Sequence, residues 1–500
     1  MRHLVPKIEF PEIVIGLVSP IGTPLAETIA ELKKNFKQAG YNVHDIHVTN
    51  LFHSMKKLVP PEIKITEKPL KERYDSYIAY GNQLRKSSQD PSLIAALSIQ
   101  NIVETRIINK IKTDSEKFTK NVYIAHQFKR PEEIELLRSV YGKIFFQISV
   151  YSRRSSRVDY LSRKFSEDMG SSNPDEYRSY AEALIDADEN QVNEKFGQRV
   201  GKIFHDADFI VNGDINDLKT SSQIERFFEL LFSSNTITPT KIEYGMFAAK
   251  SAALRTSDLS RQVGAAVFSD AGEIIAMGSN EVPKAHGGTY WPDEKFDDRE
   301  FKRKIDSNDK RKSEILKEIF EILEIDSENI DKSTMLKIQN SSAMDALEYG
   351  RIIHAEMCAI TDASRRGISV KDSTLFSTTF PCHMCAKHIV SAGIKKIYYL
   401  EPYPKSLASR LHTDSIKING QDRGIYNEYP FVEFIHFYGV TPRRYREFFE
   451  RKKRKDENGI LEEYMGGKKS PFLDIKSPFY AQLEDTVLES LQRAIRQLDN

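Results

Sequence analysis

His354 and Glu356 in "RIIHAEMCAI", with Cys382 and Cys385 in "TTFPCHMC", are residues of the types that hold a transition metal and move protons. Alone, a Cys-x-x-Cys pair has three readings: half of a zinc site, a redox couple, or two thiols packed at a helix end. The upstream His-x-Glu narrows them. A catalytic zinc takes three protein ligands and leaves a fourth position open for water, and His354, Cys382 and Cys385 supply three. Thiolates are soft ligands that favour zinc over magnesium or calcium. Glu356 lies too near His354 in sequence to share its helical face, but from a helix N-terminus its carboxylate can reach the water rather than the metal. The chemistry open to such a set is hydrolysis, since zinc lowers the pKa of its water to about 7 and a carboxylate can carry the proton.

The order His-x-Glu, then Pro-Cys-x-x-Cys, is the pattern of zinc nucleobase deaminases. It predicts one zinc per chain and Glu356 as the group that passes a proton to the ring nitrogen and then to the departing amine. Pro381 suits the first turn of the second helix, where free amides favour the thiolate forms of Cys382 and Cys385. Cys358 has no partner and is assigned to the core. His383 and His388 are bystanders.

These residues need helices, and the helices need a sheet. From residue 241 the chain reads as a helix (Ile242–Ser257), two β runs around a turn in "QVGAAVFSDAGEIIAMGSN", helix, strand, helix, then strands in "KKIYYLEPY" and "FVEFIHFYG". A charge-dense insertion at 293–340, helical where Ile315, Ile319, Phe320 and Leu323 recur, is expected to leave the compact domain. Upstream, "PEIVIGLVSPIGTPLAETIAELKKNFKQAGYNVHDIHV" reads as strand, Gly/Pro turn, amphipathic helix ending at Gly40, and strand, the opening of a βαβ unit. The rhythm recurs in "KNVYIAHQFKRPEEIELLRSVYGKIFFQISV", and a last strand is expected within 206–218. The expected division is 1–236 and 237–500, with a polar linker near 233–240. The second part ends in a helix carrying Leu483, Val487, Leu488, Leu491, Ile495 and Leu498.

A chain of 500 residues with 40% hydrophobic and 29% charged residues is long enough for two globular cores, so disordered and fibrous classes are excluded. A formal net charge of +1 gives no global field for nucleic acid or membrane. Three cysteines exclude a disulfide scaffold. No apolar run reaches signal or membrane-span length, so a cytoplasmic protein is expected.

"RQVGAAVFSDAGEIIAMGSNEVPKAHGG", "HAEMCAI", "TTFPCHMC" and "YYLEPYPKS", in this order, resemble deoxycytidylate deaminases. "IVIGLVSPIGTPLAETI" and "HQFKRPEEIELLRSVYG" resemble the P-loop kinase-like domain of one branch, the bacterial anti-phage dCTP deaminases. The resemblance implies an α/β chain: an N-terminal P-loop kinase-like parallel sheet domain, then a C-terminal cytidine-deaminase-like α/β/α sandwich. It implies deamination of dCTP and dCMP, depletion of deoxycytidine nucleotides during phage infection, and a homo-oligomer. Housekeeping dCMP deamination, polynucleotide editing, and a nucleotide-sensing regulator with a structural zinc are the alternatives.

The resemblance puts Asn280 where the family's asparagine contacts the substrate sugar, with a turn residue as the plainer reading. Lys405 and Ser406 follow a strand in a loop that can reach phosphates. Arg261, Lys284, His286 and the pair Tyr290-Trp291 are weaker candidates for the same pocket. In the first domain Gly16, Gly22 and Thr23 are candidates for binding a nucleotide effector through the amides that open a helix. A Walker loop needs Lys after its second Gly, and here Thr23 follows Gly22, so regulatory binding rather than phosphoryl transfer is expected. The basic cluster Arg443, Arg444, Arg446 and 451–455 reads either as a nucleic-acid surface, as in relatives inhibited by a small RNA, or as a solvated helix face. The alternating Glu447 and Glu450 favour the second.

Overall fold

All of Ile13–Val18 is buried, as expected of a strand covered on both faces of a parallel sheet. This is β1, and with β2 (Asn42–His47), β3 (Asn121–His126), β4 (Phe145–Tyr151) and β5 (Phe209–Asn212) it forms a sheet of order β5-β4-β1-β3-β2, parallel throughout. A computed structural model describes residues 7–108, 118–191, 194–214, 219–326 and 329–498. They divide into two units, Met1–Pro239 with Tyr438–Asn500, and Thr240–Phe437. Of the strand expected within 206–218, Phe209–Asn212 forms it, and 215–218 lie outside the described residues.

The last part of the chain departs from expectation. Residues 438–500, assigned from sequence to the second domain, belong to the first unit. The reason is an open sheet edge and an apolar surface. Gly439–Val440 pairs antiparallel with β5, closing the edge that its unpaired backbone groups would otherwise expose. Phe448 is fully buried against Phe146 and Phe227. In the terminal helix Tyr480–Leu498 the inward face carries Glu484 and Leu491, while Leu483 is 46% exposed. Glu484 meets Arg106 at 2.6 Å, and Arg106 also holds Glu12 at 2.9 Å, a buried triad that only a returning C-terminus can complete.

Half of the basic cluster, Arg443, Arg444, Arg451 and Arg454, is spent on this docking. Arg443 pairs with Asp206, Arg444 donates to the carbonyls of Lys143 and Phe145, Arg446 pairs with Glu450, and Arg451 and Arg454 donate to the carbonyls of Ser234 and Asn235.

The second unit is built on β6 (Gly264–Phe268), β7 (Ile274–Ser279), β8 (Thr374–Thr379), β9 (Lys396–Glu401), β10 (Ile416–Ile418) and β11 (Val432–His436), in the order β10-β11-β9-β8-β6-β7. The β6–β7 hairpin and the β6–β8 pair are antiparallel, and the rest are parallel. Helices cover both faces. A Cβ on Gly264 would lie 2.0 Å from the carbonyl of Ala249 in the helix Lys241–Ala253, and one on Gly278 would lie 2.2 Å from the carbonyl of Ala355 in the helix Ala355–Arg365. Gly264 and Gly278 point to opposite sides of the hairpin, so each permits one helix to lie directly on its face. The result is a mixed α/β chain with two parallel-dominated sheets, the second in an α/β/α sandwich. Among the described residues no helix is long and apolar enough to cross a membrane.

The insertion is helical where its apolar residues recur, and in its two longer helices Phe320 alone is buried. Its helices Ser307–Ile322 and Lys332–Gln339 start at the capping carboxylates of Asp306 and Asp331. Residues on either side of them return to wall a pocket, described next.

Candidate active site

Two helix N-termini converge beneath the carboxyl end of β8. His354 is the N-cap of Ala355–Arg365, and Cys382 is the N-cap of His383–Ser391, where its Sγ accepts the amide of Cys385 at 3.4 Å. His354 Nδ1 lies 3.2 Å from Cys382 Sγ and 3.4 Å from Cys385 Sγ, and all three ligand atoms fall within 4.8 Å of one another. Tetrahedral zinc with ordinary Zn–S and Zn–N bonds would separate such N and S atoms by about 3.5 Å. The donor set, one imidazole and two thiols at the positive ends of two helices, therefore fits zinc. The Cys382 thiol is pushed down to about 4, first by its hydrogen bond from Cys385 and then by His354. Cys385, which keeps its hydrogen to make that bond, is pushed up.

Glu356, in the first turn of the same helix as His354, is only 3% exposed. Burial pushes its carboxyl up, and the neighbouring Cys382 adds to the effect. Its Oε1 accepts a hydrogen bond from the Ser377 hydroxyl at 3.0 Å. Ser377 sits on β8 facing this helix, while Phe376 beside it faces the helix Lys241–Ala253 and packs against Gly245. Sequence reasoning missed Ser377. No signal singled it out, since Thr374, Thr378 and Thr379 of the same strand also carry hydroxyls.

A cavity of ≈ 180 Å³ opens onto His354, Glu356 and Cys382. Asp258, Arg261, Asn280, Phe380 and Tyr403 line it from the body of the unit, and Glu300, Asp306, Asn308 and Arg351 from the insertion and its return. Arg351 is held by Asp298 and Glu300. Arg261 is exposed, with its guanidinium 5.3 Å from the Tyr403 ring centre.

The candidate substrate residues are not brought together. Asn280 lines the cavity, but its Oδ1 accepts from Val263 N–H and its amide donates to Asp258 and to the Arg261 carbonyl, so it also fixes the loop that presents Arg261. Lys405 is exposed and paired with Asp345, outside the lining. Ser406 donates to the Pro381 carbonyl, bracing the turn before Cys382. His286 is exposed in a left-handed turn, φ 70°, also outside the lining. Lys284 pairs with Glu294, and Trp291 lies under Arg255. In the first unit Gly16 faces the Phe145 ring, which a Cβ would approach to 2.8 Å, and Gly22 has φ 84° against Arg157 and Leu161. Thr23 Oγ1 is buried without a hydrogen-bond partner.

Residues 239–401 match the family model for the cytidine and deoxycytidylate deaminase zinc-binding region. This segment is similar to a deaminase zinc-binding region. Zinc is its cofactor, and the His354, Cys382 and Cys385 group is the place in it that can hold the ion. The deoxycytidylate deaminase of enterobacteria phage T2 is 48% identical over 54 residues, 11% of this chain and 29% of that protein. ComE operon protein 2 of Bacillus subtilis (strain 168) is 45% identical over 53 residues, 11% of this chain and 28% of that protein. The deoxycytidylate deaminase of Homo sapiens is 24% identical over 158 residues, 32% of this chain and 63% of that protein. The chain thus spans less than a third of the first two relatives. Among solved structures, the apo dCMP deaminase of cyanophage S-TIM5 is 18% identical, covering 40% of this chain and 100% of that one, with a TM-score of 0.22.

Proposed function

We propose that the second unit hydrolytically deaminates deoxycytidine nucleotides. The observation that carries this reading is the buried Glu356 carboxylate beside the His354, Cys382 and Cys385 group at the floor of a cavity. A purely structural zinc has no use for a buried carboxylate at its side. Zinc held by these three residues supplies a Lewis acid that makes hydroxide available near neutral pH. Glu356 takes the proton of the attacking water, gives it to the ring nitrogen, and relays a proton to the amine as the C–N bond breaks. Water adds to the amino-bearing carbon, ammonia leaves, and cytosine becomes uracil. Ser377 holds the carboxylate in place during the transfers. The cavity is small and Glu300, Asp306 and Asn308 of the insertion form part of its wall, which suits a single nucleotide better than a strand.

Within that class we propose dCTP and dCMP as substrates, with exhaustion of the deoxycytidine pool during phage infection as the outcome. Housekeeping dCMP deamination is the second reading, favoured by the deoxycytidylate deaminases to which residues 239–401 are similar. For the first unit we propose a P-loop kinase-like sheet that binds without transferring phosphate. The support is a parallel sheet with β1 at its centre, and a following loop whose Ile21 amide already donates to the Asp188 carboxylate at 2.7 Å. A regulatory small RNA would have the exposed Lys452, Lys453 and Lys455 to engage. A homo-oligomer belongs to the same proposal.

The test is a chromatographic assay of the purified chain against cytidine, deoxycytidine, their mono- and triphosphates, and single-stranded oligonucleotides. Ammonia release from dCTP or dCMP is expected, with Glu356→Ala retaining about one zinc per chain and releasing none. Full turnover by Glu356→Ala would remove the proton shuttle.

A further inference from the structure

We propose that the first unit holds a second small-molecule site, a cavity at the carboxyl ends of β1, β2 and β3 that takes the base of a nucleoside or nucleoside monophosphate. Ligands of open parallel sheets lie beyond the carboxyl ends of the strands. A cavity of ≈ 230 Å³ sits there, bounded by residues that follow the three strands, by the helix Leu70–Ser88 and by the segment carrying Gln198.

Three separate features converge on this cavity. Gly81 stands in the middle of a 19-residue helix, where glycine is the poorest choice after proline. A Cβ there would meet nothing nearer than the Phe52 ring at 3.5 Å and the Arg85 guanidinium at 3.7 Å, so packing does not require glycine. What its missing methyl group keeps open is the cavity. Gln127, just past β3, has φ 83°, a left-handed conformation that costs a residue with a side chain and that gathers at ligand sites. Gln198 is 7% exposed, and its Oε1 has no hydrogen-bond partner, leaving a buried acceptor that lines the cavity and calls for a donor.

The lining defines the chemical class. Tyr74, Tyr77 and Phe52 line it with rings, Tyr77 with Arg73 over it, and Gln127 and Gln198 offer amide groups for a base edge, while the Thr49 hydroxyl is bonded to His47 at 2.7 Å. The inner cations are already neutralised: Arg85 pairs with Glu133 at 2.6 Å and Lys129 with Asp188 at 2.7 Å. The Asp188 carboxylate also takes the Ile21 amide, the group that would otherwise cradle a phosphate. A polyphosphate therefore has no seat. Arg73 differs, because its partner Glu67 is 64% exposed and can yield to one phosphate. A planar heteroaromatic ring with donors on its edge, carrying at most one phosphate, satisfies all of these constraints.

Hydrogen–deuterium exchange on the full zinc-loaded chain carrying Glu356→Ala tests this without consuming any ligand. The probes are the four deoxynucleosides and their 5′-monophosphates, up to millimolar concentration. At least one base is expected to protect 70–88, 121–130 and 194–199 from exchange. The affinity ratio of monophosphate to nucleoside distinguishes the two ligand sources, and Arg73→Ala is expected to reduce that ratio to about one. Gly81→Ala, which favours the helix and so does not endanger folding, is expected to weaken binding at least tenfold. Protection confined to residues around the zinc pocket for every base, no protection in the three segments, or unchanged binding by Gly81→Ala would each overturn the proposal. None of these outcomes depends on deamination.

Discussion

A hydroxyl has one hydrogen, and that of Ser377 has two acceptors within reach: Glu356 Oε1 at 3.0 Å and the Thr379 carbonyl at 2.8 Å. While Glu356 is a carboxylate, the hydroxyl can donate to it. While Glu356 carries the proton in transit, the hydroxyl can accept from it and turn its own hydrogen to Thr379. One fixed side chain would thus hold the proposed shuttle in both of its forms. A hydrogen bond to a charged group contributes about 1.5–3 kcal/mol, so Ser377→Ala is expected to lower kcat by roughly ten- to a hundredfold. KM and zinc content should stay near the parent values. Steady-state kinetics with a parallel metal assay checks this, and an unaltered kcat would leave Ser377 a packing residue.

The depth at which His354 and Glu356 sit is set by a helix lying on a strand with no side chain between them. Gly278 makes this possible, and Gly278→Val would drive a branched side chain into the Ala355 carbonyl. Overpacking of this kind costs about 1–3 kcal/mol or more. The expected result is a lower unfolding midpoint together with loss of zinc, because the N-cap of that helix is His354, a proposed ligand. Retained zinc would show that the helix can shift without disturbing its end. These two helices were legible in the sequence, since an apolar period follows His354 and a proline marks the start of the second. The part the insertion plays in the pocket was not. Glu300, Asp306 and Asn308 face the pocket through individual hydrogen bonds that leave no periodic trace, and their charges look like those of any solvated helix. The demand for glycine at Gly16 comes from the Phe145 ring, far away in sequence, and at Gly22 from its φ of 84° and its closeness to Arg157. The two-residue strand Gly439–Val440 is too short for any pattern to declare it.

Acid should weaken the first unit in a defined window. His47 is held down to about 4 by burial first and by His126 and Arg73 after it. Below its ordinary 6.5 the unfolded chain takes up a proton that the folded unit refuses until about pH 4. The stabilisation is therefore complete above pH 6.5 and is lost as pH falls from there toward 4. Urea denaturation at pH 7.5 and pH 5 is expected to show a larger fall in midpoint for the parent than for His47→Gln, and equal falls would acquit His47.

The returning C-terminus has a further consequence, for synthesis. Glu12 and Arg106 emerge from the ribosome early, but their third partner, Glu484, is translated 378 residues after Arg106. Until then the nascent first unit has an uncapped β5 and a triad short of one carboxylate, while the whole of Thr240–Phe437 can fold in between. A product cut short by premature termination would leave that unit unfinished and open to proteolysis, so the completeness of the message is written into the stability of its first half.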